Sequence, residues 1–88
     1  MSTELVHVGF GNIVAIDKVI AIVSPASAPV KRMLQAAKGK GLLVDLTSGR
    51  RTKAALVMES GHIILVAIAA ETIAGRVAAS RGVEFKSE

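Results

Sequence analysis

The sequence predicts a small α+β protein built on a mostly antiparallel sheet. Three observations predict it. Short aliphatic runs rich in β-branched residues recur along the chain, one segment carries a helical apolar period behind a proline start signal, and glycine-containing links separate the later runs. Strands are expected near residues 5–9, 19–23, 42–47, 53–58 and 62–68, with helices near 28–38 and 70–79.

Leu5, Val6 and Val8 run into Gly9-Phe10-Gly11, a strand ending in a glycine turn. Asn12 caps or turns the next segment, in which Ile13, Val14 and Ile16 lead to Asp17-Lys18. Val19–Val23 is wholly aliphatic and stops at Ser24-Pro25, as a buried strand does. Ser27-Ala28-Pro29 then starts a helix, with a hydroxyl near the cap and a proline where its missing N–H costs nothing. Val30, Met33, Leu34 and Ala37 share one face of it, Lys31, Gln35 and Lys38 the other, and Arg32 lies at the edge. Gly39 and Gly41 end it.

Leu42–Thr47, Lys53–Met58 and His62–Ile68 follow in close succession. Links as short as Ser48-Gly49-Arg50-Arg51-Thr52 and Glu59-Ser60-Gly61 favour hairpins, so the three read as an antiparallel meander with Arg50 and Arg51 at a hairpin tip. Ala70–Ala79 puts Ile73, Ala74 and Val77 on one helical face, and a polar tail begins at Ser80. Two helices on one face of the sheet would leave aliphatic strand surface uncovered. A second copy of the chain is expected there.

A chain of 88 residues fits one domain spanning residues 1–88, which buries roughly 60–65% of its unfolded surface. It has no cysteine, which excludes disulfides, thiolate metal sites and thiol nucleophiles. A mean hydropathy of +0.53 argues against disorder. The charge-free stretches Val19–Val30 and Ser60–Ala70 fall short of the ~20 apolar residues of a spanning helix. Residues 1–4 carry no basic leader, so the expectation is a cytoplasmic protein without a membrane partner.

The motifs that could carry catalysis are weak. Gly9-Phe10-Gly11-Asn12-Ile13-Val14 lacks the third small residue of a dinucleotide fingerprint, and Gly39-Lys40-Gly41 lacks the spacing of a phosphate-binding loop. His7 and His62 have no second ligand at metal-binding spacing, and Asp17, Asp45, Glu59 and Glu71 stand singly. No serine occupies a nucleophile elbow. No catalytic residue, cofactor, metal or small-molecule substrate is therefore expected, and the chain does not read as an enzyme.

Charge is more informative. The net charge is +4, yet residues 31–53 hold seven cations against Asp45 alone, a local +6, while each flank is −1. Clustered cations suit a polyanion, and adjacent guanidiniums bind phosphate as forks. A solvated helix face with a charged tip that keeps a sheet edge soluble fits the same residues. With no aromatic residues interleaved among the cations, duplex DNA held through its backbone fits better than a base-stacking single-strand binder.

Val8-Gly9-Phe10-Gly11-Asn12-Ile13-Val14, Ile22-Val23-Ser24-Pro25 with Ser27-Ala28-Pro29-Val30-Lys31-Arg32-Met33, and Gly49-Arg50-Arg51-Thr52 together resemble the RemA family of bacterial matrix regulators, over about residues 5–78. The resemblance implies a ring-shaped homo-oligomer that binds double-stranded DNA and, in bacilli, activates biofilm-matrix and osmoprotection genes. By position it implies that Arg50 and Arg51 contact DNA and that Pro29 is functionally sensitive. Lys18 stands where the family typically has arginine, which keeps the charge and loses the bidentate fork. Lys53, Lys31 and Arg32 join the DNA-binding set from the charge map. The alternatives are a structural ring or adaptor whose basic tip binds an acidic protein, or an RNA binder. Gly75 and Ala69-Ala70 depart from the family's pattern around the second helix.

Overall fold

The computed structural model describes residues 4–81, with side chains described as far as residue 79. Six strands and two helices follow in the order β1 (Leu5–Gly9), β2 (Asn12–Ala15), β3 (Val19–Val23), α1 (Ala28–Gly39), β4 (Leu43–Asp45), β5 (Ala54–Met58), β6 (Ile63–Val66) and α2 (Ala70–Arg81), with a short 3-10 turn at Ile16–Lys18 between β2 and β3. The α+β class and the mostly antiparallel pairing agree with the sequence. Helix α2 runs through Arg81 instead of ending at 79, and the tail from residue 82 lies outside the described residues.

Two corrections concern strands. Residues 12–15 form a strand that pairs with β1 across a two-residue turn, with Leu5 opposite Ala15 and Gly9 opposite Asn12. Phe10 and Gly11 both have positive φ, 56° and 78°, the signature of the turn that matches strand twist. Gly9, at φ 99°, has the Ile68 Cδ1 atom 3.0 Å from where a Cβ would stand, so a larger residue would be both strained and crowded.

The second correction removes the meander. The four-stranded sheet runs β3-β5-β6-β4, so β6 lies between β4 and β5. Strands β5 and β6 form the one hairpin of that stretch, Ala54 opposite Val66 and Val57 opposite Ile63. Strand β4 instead joins β6 in parallel, Leu43 opposite Ile63 and Asp45 opposite Leu65. Residues 46–53 are therefore a crossing connection, not a hairpin tip.

The sheet is covered on both faces, each helix taking one. Alternate residues of β5 divide between two cores. Ala54 and Leu56 pack with Val66, with Val6, Val8, Val14 and Ile16 from the β1–β2 hairpin and its 3-10 turn, and with Ile73 of α2. Ala55 faces the other way, with Ile63 and with Met33, Leu34 and Ala37 of α1. The two helices thus do not share a face. The aliphatic surface of residues 53–58 meets the chain's own layers, and Ala54, Ala55 and Leu56 are wholly buried without a second copy. Exposed apolar side chains sit elsewhere, at Leu5 and Ile13 on the hairpin, and at Ile20 and Val44 on the two edge strands. Ile20 is pushed out by a bulge between Val19 and Ala21.

Leu56 is the centre of the larger core and is 0% exposed. Leu56→Ala should lower stability by about 2–5 kcal/mol. The check is a fall in the urea midpoint at unchanged m-value.

Candidate nucleic-acid interface

Strand direction decides which residues can act together. Strands β3, β4 and β6 run one way and β5 the other, so the C-terminal ends of the three and the start of β5 lie at one end of the sheet. Three things happen at that end: α1 begins, α2 begins, and residues 46–53 cross from β4 to β5 past the end of β6. The Leu46 N–H donates to the Leu65 carbonyl and the Lys53 N–H to the Val66 carbonyl, both at 2.9 Å. The connection is thus an arch bonded to β6 on either side, and Arg50 and Arg51 stand on it.

Inside the arch, Thr47 is 2% exposed. Its hydroxyl donates to the Asp45 Oδ1 atom at 2.6 Å, and its N–H donates to the same oxygen at 2.9 Å. The Thr47 carbonyl accepts from the Arg50 N–H at 3.0 Å across Ser48 and Gly49, whose φ values are 54° and 78°. This tight turn brings out Arg50, Arg51 and Lys53, all exposed. Asp45, the one acid within residues 31–53, is bonded through Oδ1 to Thr47, and the seven cations of the stretch outweigh it.

Helix α1 starts at the same end. Ser27 is its N-cap, its Oγ accepting from the Val30 N–H at 3.4 Å, and Pro29 occupies the second helical position, where an N–H has no intrahelical acceptor. Pro29 thus stands in the first turn of the basic helix, behind the Ser27 cap. Lys31 and Arg32 follow at once and are exposed. Cations there oppose the helix dipole at about 0.3–1 kcal/mol each. Stability of the helix does not explain them.

Lys18 is not brought to this cluster. Its carbonyl accepts from the Glu59 N–H at 2.7 Å, beyond the Val19–Met58 pair, at the opposite end of the sheet. Its Nζ lies 4.0 Å from the Glu59 Oε2 atom in an exposed ion pair. Phe10 joins instead, a residue that charge and motif reasoning left in a turn. The Arg50 guanidinium lies over its ring, 5.4 Å from the centroid, within cation–π range. The signal available in the sequence was that Phe10 and Phe85 are the chain's two aromatic residues, and Phe10 stands between glycines.

Elsewhere the chemistry is thin. The Ser60 hydroxyl and His62 Nδ1 are 2.8 Å apart in the exposed β5–β6 turn, and the His7 carbonyl accepts from Arg76 Nη1 at 2.9 Å. No group of three or more His, Asp or Glu side chains with metal-binding geometry occurs among the described residues. Nor is any helix among them long and apolar enough to cross a membrane.

Comparison with known proteins is decisive for ancestry. Residues 5–77 match the family model described as extracellular matrix regulatory protein A-like, or RemA-like. A protein of Dehalococcoides mccartyi, provisionally named a regulatory protein, is 56% identical over 88 residues, covering all of this chain and 92% of its own. One from Synechococcus elongatus, named likewise, is 57% identical over 82 residues, 93% of this chain and 94% of its own. A third, from Heliobacterium modesticaldum, is 47% identical over 88 residues, the whole of this chain and 97% of its own.

The arch can be tested apart from any ligand. The Thr47 hydroxyl, then its backbone N–H, hold the Asp45 carboxyl below its usual 3.8. A carboxyl lowered in the folded state stabilises the fold above that usual value, and the gain is lost as pH falls through the lowered one. Thr47→Val should return the Asp45 titration towards 3.8 and flatten the acid limb of the stability profile. A carboxyl-carbon NMR titration beside urea midpoints at several pH values measures both.

Proposed function

The chain belongs to the RemA-like family of bacterial regulatory proteins, and from that premise we propose that it regulates transcription by binding duplex DNA as a ring-shaped homo-oligomer. The observation that carries this reading is the arch, which gathers Arg50, Arg51 and Lys53 at the end of the sheet where α1 begins with Pro29, Lys31 and Arg32. Guanidinium forks grip phosphate oxygens in pairs, and the Lys53, Lys31 and Arg32 charges add longer-range attraction.

A single subunit offers few phosphate contacts, and an edge of five cations gives weak binding. Repetition supplies the rest, because a duplex held at one subunit meets the next at high effective concentration. Specificity then depends on how readily a DNA sequence bends to follow the rim. Lys18, facing away from the arch of its own chain, would contribute from a neighbouring copy. The residues left exposed at the sheet edges and hairpin, Ile20, Val44, Leu5 and Ile13, are candidates for the contacts between copies. On this reading residues 1–88 act as one DNA-binding and assembly domain, in the cytoplasm with the nucleoid, and matrix genes are the targets that the family's description suggests.

Titration of the purified protein into labelled duplex at several salt concentrations tests this. The native protein should show a steep log–log salt slope, about −0.9 per phosphate neutralised. Arg50→Ala/Arg51→Ala should lose at least about tenfold in affinity together with roughly two contacts of slope for each subunit engaged. Light scattering should give the same mass for both, a multiple of 9.1 kDa. Indifference of both proteins to duplex at low salt overturns the reading. Preference for folded RNA over duplex, or for one acidic protein, replaces it with the corresponding alternative.

A further inference from the structure

Phe10 is costly where it stands. It occupies the first central position of the β1–β2 turn at φ 56°, a left-handed conformation that asparagine or glycine adopts with less strain. The residue is 51% exposed, so it contributes less to the core than an aromatic residue of its size can. Neither turn geometry nor burial accounts for an aromatic ring at this point.

The ring's described partner does. The Arg50 guanidinium lies 5.4 Å above its centroid, although the two residues come from connections 40 positions apart. Phe10 and Ser48 are the two non-glycine residues with positive φ among those described, and each shapes one of the two turns that make this contact. We propose that Phe10 is a positioning residue for Arg50: its ring holds the guanidinium at the rim of the arch, so that the fork is presented ready-made to a phosphate. The inference rests on the DNA-binding reading of the arch.

The physical reason lies in the arginine side chain. An exposed arginine samples many rotamers and loses them on binding, and a group already held in its bound orientation loses fewer. Stacking on a ring leaves the N–H edge of a guanidinium free, because the cation meets the π face while the donors point outward in its plane. Arg51, with no ring contact among those described, supplies charge without that orientation. The adjacent pair is therefore unequal, and Arg50 is the one whose geometry is prepared.

The test uses Phe10→Asn, Phe10→Tyr and Arg50→Ala, singly and as Phe10→Asn/Arg50→Ala, each titrated with labelled duplex. Asparagine suits the turn, so Phe10→Asn should fold with an unchanged or raised urea midpoint, which separates this role from a purely structural one. It should nevertheless weaken duplex binding about two- to fivefold per engaged subunit, the range expected for an exposed cation–π contact. Phe10→Tyr should bind as the native protein does. In the Arg50→Ala background, Phe10→Asn should change nothing. In the free protein, the Arg50 Nε–H resonance should carry a ring-current shift that survives in Phe10→Tyr and disappears in Phe10→Asn.

Native affinity in Phe10→Asn overturns the positioning role and leaves the DNA reading standing, as does an Arg50 resonance without a ring-current shift. A loss that persists undiminished in the Arg50→Ala background also overturns it, since the ring then touches DNA directly. Absence of duplex binding by the native protein ends both readings together.

Discussion

The placement of β6 between β4 and β5 is the constraint on which the rest of the molecule depends. Once β4 pairs with β6 in parallel, the chain cannot turn back beside itself after Asp45. It must cross the end of a strand whose Val66 is fully buried. The crossing is short, so both its ends use β6 carbonyls, and its interior closes on the Asp45–Thr47 pair. Buried backbone and hydroxyl groups are satisfied in this way without lengthening the connection. The consequence is that residues 48–52 stand above the sheet end between two bonded anchors.

That same order fixes what faces what. With β3, β4 and β6 running together, α1 returns across one face and begins beside the C-terminal end of β3, while the β1–β2 hairpin and α2 close the other face. The hairpin's Phe10-Gly11 turn reaches the arch, as the contact between Phe10 and Arg50 shows. Two connections far apart in sequence thus meet, each built on a pair of left-handed residues, Phe10-Gly11 and Ser48-Gly49. Strain of this kind persists only where surrounding bonds over-determine the backbone, and here β-pairing on one side and the β6 carbonyls on the other do so.

Much of this was legible in the sequence, and the parts that were not share a cause. Val19–Val23 and the helix from Ala28 declare themselves through local signals: an unbroken aliphatic run, a serine cap, a proline in the first turn and an apolar period. The Ser48-Gly49 pair is an equally honest local signal, since its φ values are those of a hairpin turn. It misleads because a turn specifies the path of four residues and says nothing about which strand slides in beside them. The strand at Asn12–Ala15 escaped for a related reason, being four residues long with a polar start, and recognisable only through its partner. In the site, the arginines and the basic helix were visible as composition. Lys18 was grouped with them by the family resemblance, and only strand direction shows that it lies at the far end. Phe10 was invisible as a site residue because its role depends on a contact across 40 positions, which no period or motif encodes.

Rigidity and weakness coexist in this surface, and they belong together. Each cation on the arch or on the first turns of α1 is exposed, so solvent and salt screen it and any single contact is worth little. A flexible loop carrying the same charges would be weaker still, because ordering its backbone costs roughly 1–2 kcal/mol per residue fixed. The arch has already lost that freedom in folding, through bonds to β6 and to Asp45 that involve none of the cationic side chains. Folding and recognition are thereby separated: the residues that hold the arch are Thr47, Asp45 and backbone groups, and those left to meet a partner are Arg50, Arg51 and Lys53. A surface of this design gains little from one copy and much from several in fixed register, because the entropy of aligning the contacts falls on the assembly rather than on each loop.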